Sequence, residues 1–117
     1  MKFSIKGEIL SHKNLYRRAK WGGLYMSQKE EFEALLWQFK AQREGDAMTG
    51  KIKLILDVFG NDRKDLNNQI ACICDLLEKS GIIKNDRQIK VIDARKHISK
   101  SAGAVIELVI LQGVNNF

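Results

Sequence analysis

Residues 50–59 constrain the fold more than any other part of this chain. Ile52, Leu54, Leu56 and Val58 recur at every second position and share one face. Ile55 and Phe59 put further apolar surface on the other face. A strand of this kind is largely covered on both sides, which requires a sheet with material packed against it. The chain therefore has to supply further strands and at least one covering layer.

The other elements follow from the same patterning. Phe3, Ile5, Gly7 and Ile9 alternate with Lys2, Ser4, Lys6 and Glu8, which predicts a strand over 2–10. Residues 11–26 are polar, basic and glycine-containing and read as a long loop. Ser27 to Glu30 has the form of a capping box. Phe32, Leu35, Leu36 and Phe39 follow at helical spacing, predicting a helix to about Glu44 that stops at Gly45. Trp37 lies off that stripe, as a surface or dimer contact. Gly60-Asn61-Asp62 reads as a turn, and a second helix is predicted over 63–80 with Gly81 as its stop. Its expected apolar stripe is Leu66, Ile70, Ile73, Cys74 and Leu77, with Cys74 as a small core residue. Residues 88–94 and 104–111 read as two closing strands, joined as a hairpin through the basic segment 95–103.

The order is thus β-α-β-α-β-β: an α+β domain over 1–117, with a four-stranded mixed sheet and two helices on one face. The first two strands, linked through a helix, could be parallel neighbours by a right-handed crossover, giving a mixed sheet. With no internal repeat, no low-complexity segment and no proline, nothing marks a second domain. No apolar run is long enough to span a bilayer. Lys2, Lys6 and Glu8 break up the first ten residues, so no signal segment opens the chain and a cytoplasmic location is expected by default. Cys72 and Cys74, two apart on a helix, point to different sides and cannot bridge. With His12 and His97 distant from them, they make no zinc site.

The net charge of +6 favours a polyanionic partner. The positive charge falls in three groups: Lys13, Arg17, Arg18 and Lys20; Arg63 and Lys64 beside Asp65; and Arg95, Lys96, His97 and Lys100. Each group can serve phosphates or simply be solvated. The segment from Asn61 to Gln88 then sets acids and amides at the start and middle of a helix, with Asp86 in the turn beyond it. Asp65 and Asn67 converge only where the helix begins and the backbone still turns. Asp75 lies further along the row Asn67, Ala71, Asp75. If the turn after Gly81 folds back along the helix, Asp86 approaches Asp65. Oxygen ligands gathered this way suit Mg²⁺. The plainer reading makes Asp62 and Asp65 helix caps and Asp86 a turn residue.

Arg63-Lys64-Asp65-Leu66-Asn67-Asn68, a helix, and then Ser80-Gly81-Ile82-Ile83-Lys84-Asn85-Asp86-Arg87-Gln88-Ile89 resemble the signature of the RusA family of Holliday-junction resolvases. That signature is a basic run, D-x-D-N, an amphipathic helix, a glycine-containing turn and an acid before a Q-[IV] strand. Upstream, Ser11-His12-Lys13-Asn14-Leu15-Tyr16-Arg17 resembles the family's loop after its first strand, and Tyr25-Met26-Ser27 precedes the first helix. The resemblance covers nearly the whole chain.

It implies a homodimer that nicks four-way DNA junctions in pairs with Mg²⁺, Mn²⁺ being the alternative ion. It further implies a recombination or repair role and a bacterial, phage or prophage origin. Asp65, Asn67 and Asp86 would be metal ligands and Asp75 an auxiliary acid. Lys13, Asn14, Tyr16, Arg17, Arg18, Lys20, Arg63 and Lys64 would contact DNA. Two positions depart from the pattern: the second family acid falls at Asn67, and the family lysine one turn later falls at Ala71. These departures favour the alternative of a protein that binds branched DNA without cutting it. A third reading is a small structural module with solvated basic loops.

Overall fold

The computed structural model describes residues 1–111; for Asn14, Tyr16–Arg18 and Leu24–Met26 it describes the backbone only. The expectation of one domain over 1–117 extends to residues 112–117, which lie outside that range. In chain order the elements are β1 (Lys2–Lys6), a 3-10 turn (His12–Asn14), β2 (Tyr16–Arg18), β3 (Leu24–Met26), α1 (Lys29–Gln42), β4 (Ile52–Gly60), α2 (Leu66–Lys79), a second 3-10 turn (Asp86–Gln88), β5 (Ile89–Ile98) and β6 (Gly103–Ile110). The architecture is α+β, with a four-stranded mixed sheet and two helices, as the patterning predicts.

β4 occupies the interior of the sheet, whose order is β1-β6-β4-β5. Ile52, Leu54, Leu56 and Val58 are fully buried, in one core with Phe32, Leu35 and Phe39 of α1 and Cys72, Ile73, Leu76 and Leu77 of α2. Burying an aliphatic side chain stabilises by roughly 1.5–3 kcal/mol, so this layer dominates the favourable terms.

The strand pairing differs from the expectation in two places. β5 and β6 do not form a hairpin, because β4 lies between them: β5 pairs with it in parallel and β6 antiparallel. β1 is not a neighbour of β4 but pairs with β6, antiparallel. Alternation marks which face of a strand is buried and not which strand lies beside it, and β4 is interior both in the expected order and in the observed one. Flanking it on both sides satisfies its N–H and C=O groups and keeps the parallel β4–α2–β5 crossover.

Several local expectations are also corrected. β1 ends at Lys6, and Gly7, with φ +108°, turns the chain out of the sheet. Ile9 and Leu10 still reach the core. The predicted loop 11–26 holds a 3-10 turn and the two-stranded β2–β3 hairpin. Ser27 does not cap α1: the cap position is Gln28, at φ +57°, with no side-chain hydrogen bond. The Ser27 hydroxyl instead donates to Leu15 O at 3.2 Å, closing the base of the hairpin. α1 ends at Gln42, ahead of the predicted stop. In α2 the buried set is Gln69, Cys72, Ile73, Leu76 and Leu77, so Cys72 and not Cys74 is the fully buried cysteine. The buried face is rotated because segment 9–15 also packs on α2. Gln69 Nε2 donates to Ile9 O at 3.0 Å across that contact. Both cysteines are free, as their spacing predicts. No helix among the described residues is long and apolar enough to cross a membrane.

Candidate active site

Asp65 is the N-cap of α2: its Oδ1 accepts from Asn67 N at 2.9 Å. The capping reading of Asp65 is thus correct for one oxygen. At the far end of the helix the turn is capped differently. Asn85 Oδ1 accepts from Arg87 N at 2.8 Å, and Gln88 Oε1 accepts from Asn85 N at 2.9 Å. Gln88 Nε2 also donates to Met48 O and Gly50 O, lacing this turn to the chain entering β4. Because Asn85 and Gln88 form the capping box, Asp86 is not needed for it. Its N–H donates to Glu78 Oε1 at 3.2 Å.

The turn folds back against α2, the condition for bringing Asp86 near Asp65, yet Asp86 shares a cleft with Asp75 instead. A cleft of about 320 Å³ is lined by His12, Ala71, Cys74, Asp75, Asp86, Ile89 and Ile92. Asp75 and Asp86 therefore face one space. The thiol of Cys74 responds to both: burial first, then the Asp86 and Asp75 charges, push its pKa up to about 11. It stays a neutral thiol and is no nucleophile at neutral pH. Asp75 Oδ2 lies 3.2 Å from Lys79 Nζ and 4.0 Å from His12 Nε2.

Asp65 and Asn67 do not line this cleft. Asn67 sits one turn above Ala71 on the row Asn67, Ala71, Asp75, at the upper end of the same helix face. Among the described residues, no group of three or more His, Cys, Asp or Glu side chains could hold a metal ion. The structure thus brings Asp75 and Asp86 together and leaves Asp65 and Asn67 at the helix start.

His12, too far along the chain from the cysteines to share a zinc site with them, is a cleft residue that the sequence alone does not single out. The structure sets it over the cleft, because Ile9, Leu10, Ser11 and Leu15 around it are buried and fix the 3-10 turn on α2. Its position beside Lys13, in the loop that follows the first strand, was the available signal.

The three basic groups separate clearly. Lys13 and Lys20 are exposed, while the side chains of Asn14, Tyr16, Arg17 and Arg18 lie outside the described part. From Ile9 to Lys29 there is no Asp or Glu. Arg63 is exposed. Lys64 pairs with Glu8, and that bond, aided by Asn61 and Arg63, holds the Glu8 carboxyl below its usual range against the opposing effect of burial. Of the third group only Lys100 lies in the connection between β5 and β6. Arg95, Lys96 and His97 belong to β5 and have local partners: Arg95 with Asp93, Lys96 with Lys64 O, and His97 with Asp57 at 2.8 Å. The His97 ring also stacks on Phe59, centroids 4.7 Å apart.

Fold and site together define an α+β protein in which an acid-lined cleft stands beside a basic segment free of acids. Comparison with known proteins gives that class a family. The family model of endodeoxyribonuclease RusA matches residues 9–109. The crossover junction endodeoxyribonuclease RusA of Aquifex aeolicus (strain VF5) is 34% identical over 97 residues, covering 80% of this chain and 77% of that protein. The chain belongs to the RusA family.

Proposed function

We propose that this chain is a divalent-metal-dependent endodeoxyribonuclease that resolves four-way DNA junctions by paired nicking, as a homodimer, in recombination or repair. One observation carries the reading: in a chain of the RusA family, Asp75 and Asp86 face one cleft beside an acid-free basic segment.

The oxygen donors of Asp65, Asn67 and Asp86 are of the kind that suits Mg²⁺, with Mn²⁺ as the alternative ion, and the ion would have to draw them together, since Asp65 and Asn67 lie outside the cleft that holds Asp86. Mg²⁺ is held through one or two carboxylates and completes its octahedron with water and substrate phosphate, so a preformed cage is not required. Asp86 offers a carboxylate that no cap consumes, and Asp65 caps with Oδ1, leaving Oδ2. Asn67 contributes an amide oxygen, a weaker ligand without charge. The bound ion would supply activation of the attacking water and neutralise charge at the phosphate. Asp75, beside Lys79 and His12, is the auxiliary acid lower in the cleft. Lys13, Asn14, Tyr16, Arg17, Arg18, Lys20 and Arg63 hold the DNA backbone. Lys64, fixed by Glu8, adds its remaining donors. Two subunits related by a two-fold axis would each cut one strand of a symmetric junction.

A second reading has specific support. Asn67 and Ala71 remove a carboxylate and a cation from the family pattern, and the described residues hold no three-donor metal group. On that reading the protein binds branched DNA without cutting it. Incubating the purified protein with a synthetic four-way junction, with and without Mg²⁺, separates the two. Retardation together with metal-dependent nicks supports the nuclease. Retardation without nicks at any Mg²⁺ or Mn²⁺ concentration supports the binder, and absence of both overturns DNA recognition altogether.

A further inference from the structure

Trp21 is 77% exposed, at the tip of the β2–β3 hairpin. The tip is a defined turn. Ala19 N donates to Gly23 O at 2.8 Å, and Gly22 N donates to Ala19 O at 2.9 Å, with Gly22 at φ +90°. Gly23 makes room for the indole: a Cβ there would lie 1.5 Å from a ring carbon of Trp21. The ring therefore lies against backbone on one side and leaves most of its surface to water.

The base of the hairpin is as firmly set. Leu15 is fully buried, and Ser27 N and Oγ both donate to Leu15 O. Three residues earlier, His12 lines the cleft that holds Asp75 and Asp86. The finger thus rises from the rim of the candidate site. Its charge is of one sign, since Lys13, Arg17, Arg18, Lys20 and Lys29 occur between Ile9 and Lys29 with no acid.

Trp37 is the internal comparison. It is 73% exposed, but it stands on α1 between Glu33 and Lys40, on a helix with three Glu and two Lys. That surface carries both signs of charge and has no net attraction for a polyanion. An exposed aromatic ring in a one-signed cationic segment is the combination that stacks nucleobases, because every base has a π-face and the cations hold the adjoining phosphates.

We infer that Trp21 is a base-stacking side chain, which takes an unpaired or unstacked base of branched DNA on its open face while the hairpin's cations hold the flanking backbone. This deepens the branched-DNA reading and rests on it. The ligand is DNA whose bases are available, so perfectly paired linear duplex is the discriminating control.

The test uses the full chain with Trp37→Phe, which leaves Trp21 as the sole tryptophan. Its emission is followed during titration with three probes: a four-way junction carrying two unpaired thymines at the branch, a short oligothymidine, and a linear duplex. Quenching by the first two is expected. Trp21→Ala should weaken binding of the branched probe about tenfold or more, Trp21→Phe should retain most of it, and duplex affinity should change less than twofold. Unchanged emission at saturation, with Trp21→Ala binding as the parent does, overturns the inference while leaving DNA recognition standing. Emission that shifts with protein concentration alone overturns it in favour of a contact between copies. A parent that binds none of the probes overturns the branched-DNA reading itself.

Discussion

On the proposed function, position 67 is where one substitution should change the chemistry most. Asn67 is the second residue of α2, its N–H occupied by Asp65 Oδ1 and its amide exposed. Asn67→Asp adds a carboxylate on the helix face that leads down to Ala71 and Asp75. Negative charge in a first helical turn is favourable by about 0.3–1 kcal/mol, so the variant should not lose stability. Nicking of a four-way junction should rise, with less Mg²⁺ needed for half-maximal rate. Adding Ala71→Lys should increase the rate further and non-additively, since the two positions are one turn apart. An unchanged Mg²⁺ titration in a folded Asn67→Asp protein would remove position 67 from the metal shell. The two outer acids need different controls. Asp65→Ala removes a cap and should cost about 1 kcal/mol in any case. Asp65→Asn keeps a good capping residue, and Asp86→Asn leaves the Asn85–Gln88 box intact. Both Asn variants should abolish nicking, melt close to the parent, and bind the junction as tightly or slightly more tightly. A folded variant that no longer binds would make the acid structural instead. His12 shows what residue-scale reading misses. Its neighbour Asp75 comes from the middle of α2, and only the packing of Leu10 and Leu15 brings the two within 4.0 Å.

Elements were legible where a period of two or 3.6 ran long enough. Four strands and two helices could be read from alternation in β4 and from the stripes Phe32, Leu35, Phe39 and Ile73, Leu77. Pairing was not legible, because periodicity tells which face a residue occupies and nothing about which strand lies alongside. β6 inserts between β1 and β4 without changing any residue's face. The β2–β3 hairpin was invisible for another reason: three-residue strands carry no measurable period, and this one is closed by Ser27 on Leu15 O. Ser27-x-x-Glu30 has the letters of a capping box, yet the serine found an acceptor twelve residues away. In the same way the turn at Asn85 was read as an acid's position, whereas its capping box belongs to Asn85 and Gln88. What joins the finger's base to the rest of the fold is Gln69, buried within α2 and donating to Ile9 O. Gln69→Ala leaves that buried carbonyl unpaired and should destabilise by about 1–3 kcal/mol. Limited proteolysis should then cut first within residues 11–26. A variant with parental melting temperature and cleavage pattern would mean that the apolar neighbours alone hold the segment.

At the scale of the whole molecule, the +6 net charge is less informative than its distribution. In β5 Arg95 pairs with Asp93 and Lys96 is held by Lys64 O, and Lys64 pairs with Glu8, so these cations already have local partners. What remains unbalanced in sequence is the stretch from Ile9 to Lys29, rooted at the rim of the acid cleft. On the proposed function, a phosphate backbone approaching the protein would be drawn to the finger and repelled by Asp75 and Asp86 until a divalent ion bound at the cleft. Two consequences separate. The first is that affinity for a four-way junction should fall by orders of magnitude over a few-fold rise in salt, with a log–log slope of about −0.9 per phosphate neutralised. Arg17→Gln with Arg18→Gln should make the slope shallower by roughly 2 per chain if each contacts one phosphate, and by twice that per complex if two copies bind together. Replacing Arg95 and Lys96 by Gln should change the slope little, because those cations already have partners in the sheet and in Lys64 O. The second is that Mg²⁺ should partly offset the repulsion at the cleft, so that binding at fixed ionic strength tightens with the divalent ion in the parent and does so less in Asp86→Asn. A slope that follows Arg95 and Lys96 instead of Arg17 and Arg18 would move the DNA path to β5 and away from the finger, and a slope near zero would count against DNA binding altogether.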